Sequence, residues 1–190
     1  MIGELPKAIE INGKEYEINT DFRVALTIFD ALSDPDLTNQ DKARVMLLCL
    51  FVNPDDIPYE DFTEACEKAS EYLDGGQNVP KKQEKKPIIS WQQDEQLIFA
   101  AVNRVAGREI RESERLHWWT FLGYFQEIDD KSLFSTVVQI RSKKSKGKKL
   151  EKWEQDFYKE HRTMVEIQKR YSEEEVKERE TINRILNGGG

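Results

Sequence analysis

Strict alternation of apolar and polar side chains occurs near the start of the chain, where Ala8, Ile9, Glu10 and Ile11 are followed by Asn12-Gly13 and then Lys14, Glu15, Tyr16, Glu17 and Ile18. Asn-Gly suits the positive φ angles of a type I′ turn, so the segment predicts a β-hairpin. In two-residue register Ile9 faces Tyr16 and Ile11 faces Lys14. Ile9, Ile11, Tyr16 and Ile18 then share one face, and Glu10, Glu15 and Glu17 take the other. A lone hairpin is marginal in water, so the apolar face must dock on further elements.

Helical spacing follows. Phe22, Ala25, Leu26, Phe29 and Leu32 mark a first helix, with Asn19 or Thr20 as its cap. Asp34-Pro35-Asp36 breaks the chain, and Thr38, three residues ahead of Asp41, opens a second helix through Phe51. Its unbroken apolar run, residues 45–52, predicts burial on most sides. After Asn53-Pro54, Pro58 suits the first turn of a third helix lined by Phe62, Ala65, Cys66, Ala69 and Leu73 and closed by Gly75-Gly76. Residues 1–74 therefore read as one acidic unit of hairpin plus helices. Residues 75–87 shift to Gly, Gln, Asn, Pro and four lysines and read as a flexible linker.

Residues 88–190 form a helical C-terminal part. Ser90 reads as a cap with Gln93 in the capping-box position, and Trp91, Ile98, Val102 and Val105 face one side of a helix that Gly107 closes. An aromatic segment opens at Ser113, with Trp118, Phe121, Leu122 and Phe125 on one face. Leu133, Phe134, Val137 and Ile140 suggest a short helix, although Thr136-Val137-Val138 also suits a strand. Past Gly147, Leu150, Phe157, Met164 and Tyr171 recur every seven residues, with Trp153 and Ile167 in the second seam position of an amphipathic helix. Ser172 with Glu175 caps a last helix whose apolar residues are Val176, Ile182, Ile185 and Leu186, which leaves that end little to bury and makes it a candidate for ordering against a partner. The fold class is mainly α, a helical protein with a small N-terminal β-hairpin.

Composition narrows the function. Of 190 residues, 34% are charged, 38% hydrophobic and 10% aromatic, which is polar but too rich in large rings for a disordered chain. The net charge of −7 is the opposite of a dedicated nucleic-acid binder. It is also divided: residues 1–80 hold 6 basic and 17 acidic groups, net −11, and the rest is net +4. Residues 1–6 lack a signal peptide's basic start and apolar core, and the longest apolar run is eight residues where a membrane span needs about 20, so neither secretion nor membrane insertion is expected. Cys49 and Cys66 form no metal-ligand pattern or disulfide framework, which fits a reducing cytoplasm.

Candidate chemistry is sparse. His117 and His161 are the only imidazoles, without a paired Cys or Glu motif, and the aspartate pairs at 55–56 and 129–130 fall where turns and caps use aspartate. No phosphate-binding glycine loop is present. The sequence thus offers no catalytic residue, cofactor site or metal site, and no enzyme is expected. Arg141, Lys143, Lys144, Lys146, Lys148, Lys149 and Lys152 form a basic patch that would contact phosphates or remain a solvated loop. Of the adjacent indoles, which point about 100° apart on a helix, Trp119 is the better partner contact and Trp118 the better core residue.

The stretch His117-Trp118-Trp119-Thr120-Phe121, and again Lys148-Lys149-Leu150-Glu151-Lys152-Trp153-Glu154 with Phe157-Tyr158, resembles the bacteriophage Gp-fifteen family of siphophages and prophages of Gram-positive bacteria. In such phages the gene lies between those for the tail tube and tape-measure proteins. The resemblance implies a non-enzymatic tail assembly chaperone in the host bacterial cytoplasm, with the tape-measure protein and also the tail tube protein as partners and self-association allowed. Its surface would be Trp119, Leu150, Trp153, Phe157, Met164, Ile167 and Tyr171. The alternatives are a structural tail or connector component of the virion, and a nucleic-acid-binding accessory protein acting through the basic patch.

Overall fold

A computed structural model describes residues 3–76 and 87–187; most of the expected linker, residues 77–86, lies outside the described residues. In chain order the elements are β1 (Ala8–Ile11), β2 (Lys14–Glu17), α1 (Phe22–Leu32), α2 (Asn39–Leu50), α3 (Phe62–Leu73), α4 (Glu95–Ala106), α5 (Trp118–Gln126), α6 (Leu133–Ser145), α7 (Lys152–Glu160), α8 (Arg162–Val165) and α9 (Glu173–Asn187). The fold is mainly α with a small N-terminal hairpin. The ambiguous segment after Leu133 is helical.

The hairpin has the expected register, Ile9 opposite Tyr16 and Ile11 opposite Lys14, with Asn12 and Gly13 at φ 47° and 75°. Ile9, Ile11, Tyr16 and Ile18 are buried. The sheet gains a partial third rung because Ile18 bridges Phe51, the Val52 N–H donates to the Glu17 carbonyl and the Asn19 N–H donates to Leu50. Phe51 is therefore extended, and α2 stops at Leu50 rather than passing through Phe51. Only one side of α2 is covered. Met46, Leu47, Leu50 and Phe51 are buried, but Leu48 and Val52 are 49% and 43% exposed, so the expected burial on most sides does not occur.

Caps explain where the helices begin. Thr38 and Asp41 form the expected capping box. The cap of α1 is Asp21, not Asn19 or Thr20. The backbones of Asn19 and Thr20 bond to Leu50 and Trp118, which holds them extended and leaves Asp21 to accept from the Arg23 N–H. Pro58 precedes a 3-10 turn at Tyr59–Asp61, and α3 starts only at Phe62. Ser90 does accept from the Gln93 N–H, but residues 91–94 form a turn and α4 starts at Glu95. Ser113 likewise follows a 3-10 turn, and α5 begins at Trp118. Gly107 closes α4 at φ 68°.

One apolar core runs through both sides of the linker, from Ile9, Ile18 and Phe22 through Ala69 and Leu73 to Ile98, Val102, Trp118, Phe121 and Phe134. Aromatic rings occupy its centre: Phe22 stacks on Phe121 at 5.1 Å, Trp118 on Phe121 at 5.5 Å, and Phe29 on Trp91 at 5.6 Å. A smaller cluster, Val137, Ile140 and Val165, lies between α6 and α8.

Candidate functional site

The aromatic motif around His117 ties the first 76 residues to the remainder. The Nδ1 atom of His117 accepts from the Trp119 N–H at 3.0 Å and caps α5, so Nε2 carries the hydrogen donated to the Pro6 carbonyl at 2.8 Å. The indole N–H of Trp118 donates to the Leu73 carbonyl and that of Trp119 to the Tyr72 carbonyl, each at 2.9 Å. Both indoles thus satisfy carbonyls at the end of α3, where a helix leaves acceptors without internal partners. The approach needs glycine there: Gly76 has φ +77°, and a Cβ on it would lie 3.0 Å from the Trp119 ring. Trp118 is buried and Trp119 half-buried, stacked on Tyr72.

Arg141, expected in the basic patch, is not on the surface. It is 6% exposed, and all five guanidinium hydrogens are used. Nε donates to Val165 O at 2.6 Å, Nη1 to Ile88 O and to Asp94 Oδ2 at 2.5 Å, and Nη2 to Met164 O and to Asp94 Oδ1 at 2.9 Å. Asp94 also accepts from the Ser90 N–H. The side chain of Gln93 reaches away from its expected capping-box partner to the carbonyls of Thr163 and Glu166 and the N–H of Gln168.

These bonds explain why the amphipathic helix expected across residues 150–171 does not run to its end. A helix through residue 170 needs the carbonyls of residues 163–166 for the N–H groups of residues 167–170, and Gln93 and Arg141 engage them instead. The chain runs through α7 and, past a break at His161, the single turn of α8 to a non-helical strap over residues 166–172. Ser172 and Glu175 then cap α9 as expected.

Leu150, Phe157 and Met164 pack on the cluster of Val137, Ile140 and Val165. Ile167 lines a recess beside Phe29 and Trp91. Trp153 is 50% and Tyr171 37% exposed, the latter ring flanked by Lys169 and Arg179. Val176 and Ile182 on α9 are exposed, whereas the Ile185 and Leu186 side chains lie outside the described residues.

Lys143 contacts buried Glu154 at 2.6 Å, and Lys144 sits over the Tyr158 ring and 3.6 Å from Glu166. Burial by itself would raise the Glu154 carboxyl, but hydrogen bonds from Lys143 and the Glu151 N–H outweigh it and hold the group below its ordinary value. Lys146, Lys148, Lys149 and Lys152 are exposed and form no ion pair among the described residues.

An open apolar trough of about 520 Å³ runs between α1 and the start of α4, floored by Phe22, Leu26, Trp91, Ile98 and Phe99. A second recess of about 290 Å³ shares Asp30, Trp91 and Gln92 with it and extends to the strap. The charged groups at its edge are largely engaged: Arg23 with Asp21, Arg111 with Glu109 and Asp30 with Arg170. Hydrogen bonds from the Arg111 guanidinium and its backbone N–H hold the Glu109 carboxyl down at about 2. Sequence reasoning missed this trough, since Phe22 and Ile98 read equally well as plain core positions. It also missed Asp94, which carries no local signal of a partner 47 residues away.

Among the described residues no group of three His, Cys, Asp or Glu is placed to hold a metal ion, and no helix is long and apolar enough to cross a membrane. No curated protein and no solved structure matches the chain. The family described as Bacteriophage Gp15 protein matches residues 1–172, and the chain belongs to that family.

Proposed function

From this membership in a bacteriophage family we propose that the chain is a non-enzymatic tail assembly chaperone, acting without a cofactor in the host bacterial cytoplasm to cover helices of the tape-measure protein. The observation that carries the reading is the trough beside α1. Its floor is aromatic and aliphatic, it is lined by α1 from Phe22 to Asp30, about 12 Å of helix, and it suits apolar side chains at positions i, i+4 and i+7 of a partner helix. Apolar stripes on a long helical client aggregate unless covered, and covering them takes contact area rather than chemistry. Arg23, Arg111 and Asp30 at the trough edge are held in ion pairs, which fits a binding surface better than a catalytic one.

Co-expression with the tape-measure protein tests the reading. The client is soluble and co-purifies with this chain, and Leu26→Glu on the trough floor removes that effect while circular dichroism remains that of the parent. A client equally soluble with and without the chain overturns the proposal. Stoichiometric recovery of the chain in purified virions by mass spectrometry would instead make it a structural tail component.

A further inference from the structure

The outer face of the hairpin concentrates like charge. Glu10 and Glu15 sit directly opposite one another in the ladder, an arrangement that destabilises an isolated hairpin, and Glu17 follows on the same face. All three are exposed and none forms an ion pair among the described residues. Beside them lies exposed Val52, whose N–H bonds to the Glu17 carbonyl.

A second surface has the complementary pattern. Ile88, Phe134 and Val138 floor a recess of about 380 Å³ along α6, with Lys146 and Lys148 at its rim. Lys149 follows in sequence, and these three lysines are exposed without ion pairs among the described residues. One surface therefore sets exposed Val52 beside carboxylates, and the other is an apolar recess among ammonium groups. They belong to parts of the chain whose net charges are −11 and +4.

We propose that the chain associates head to tail with further copies of itself, the Glu10, Glu15, Glu17 and Val52 face of one copy docking on the Lys146 and Lys148 recess of the next. A head-to-tail contact is heterologous, and repeating it gives a ring or a short filament. A nucleic acid fits the recess less well: Phe134 is buried in its floor and cannot stack on a base, and the carboxylates on the same chain repel phosphates. The patches are small beside the 800 Å² or so per partner of a standard interface, so the association is weak and salt-dependent. This proposal stands apart from the tape-measure reading, since neither patch lines the trough.

Sedimentation of the full chain at about 100 μM tests it. In low salt the wild type sediments above its 22.3 kDa monomer mass, and raising salt to about 0.5 M returns it to monomer. E10K/E15K/E17K and K146E/K148E/K149E, each folded by circular dichroism, are monomeric alone, and mixing them restores the larger species because each carries the other's complement. A wild type that remains monomeric in low salt overturns the proposal, as does self-association unaltered by both reversals or a mixture that stays monomeric. Oligonucleotide binding that the lysine reversals abolish, in a chain that does not self-associate, assigns the recess to nucleic acid and overturns it as well.

Discussion

Arg141→Met isolates the buried polar node. Methionine keeps an unbranched side chain in α6 but removes every donor, leaving the Asp94 carboxylate, 1% exposed, with only the Ser90 N–H, and the Ile88, Met164 and Val165 carbonyls without their guanidinium partner. Removing one member of a buried ion pair costs about 3 to 5 kcal/mol, a large share of a total stability on the order of 5 to 15 kcal/mol. With a urea m-value of about 2.5 kcal/mol per molar, the midpoint falls by about 1.5 M. The melting temperature falls by about 8 to 16 °C for a chain of this size. Adding Asp94→Asn removes the stranded charge while keeping an acceptor for Ser90, so the double variant recovers about 2 kcal/mol relative to Arg141→Met. A loss under about 1 kcal/mol for the single variant, or no recovery in the double, refutes the reasoning that a dry, charge-paired node joins residue 88, α4, α6 and α8.

Three further outcomes are expected. The Tyr72 hydroxyl is buried without a hydrogen-bond partner among the described residues, and burial pushes its phenol well above the ordinary range, so Tyr72→Phe leaves stability unchanged or raises it by up to about 1 kcal/mol; a clear loss in denaturant titration would reveal a partner for the hydroxyl. Because the Glu154 pKa is lowered in the folded state, its contribution is complete above the ordinary carboxylate range and fades as pH falls through the lowered value. Lys143→Met should therefore move the acid-unfolding midpoint upward, and an unshifted midpoint counts against the pairing. Phe157→Asp places a charge against the α6 cluster and costs about 2 kcal/mol or more, while Trp153→Asp on the half-exposed ring changes stability by about 0.5 kcal/mol or less; equal losses in thermal unfolding would show that both rings are buried alike.

The candidate site was legible only in part. Trp118 and Trp119 stood out as a pair, yet nothing nearby shows that their indoles reach the end of α3, 45 and 47 residues earlier. The seven-residue recurrence from Leu150 to Tyr171 set Leu150, Phe157 and Met164 on an apolar face read as a partner surface, and in the fold these three meet the cluster on α6 and α8 of the same chain. Periodicity reports that a side chain has an apolar neighbour and is silent on whether that neighbour belongs to the chain or to a partner. Among the basic residues, Arg141 looked like its lysine neighbours because charge alone does not distinguish a solvated cation from one buried with a carboxylate.

By itself the sequence determined what depends on residues a few positions apart: the Asn12-Gly13 turn and its register, the Thr38 and Ser172 capping boxes, and the stop at Gly107. Backbone geometry and short-range hydrogen bonding decide these, and both are written in adjacent side chains. Tertiary structure alone decided that one core runs across the linker, that Phe51 and Val52 leave α2 to extend the hairpin, and that the expected amphipathic helix stops after Val165. In the last two cases a distant group, the edge of β2, Gln93 or Arg141, offers the backbone a hydrogen-bond partner that local propensity does not anticipate.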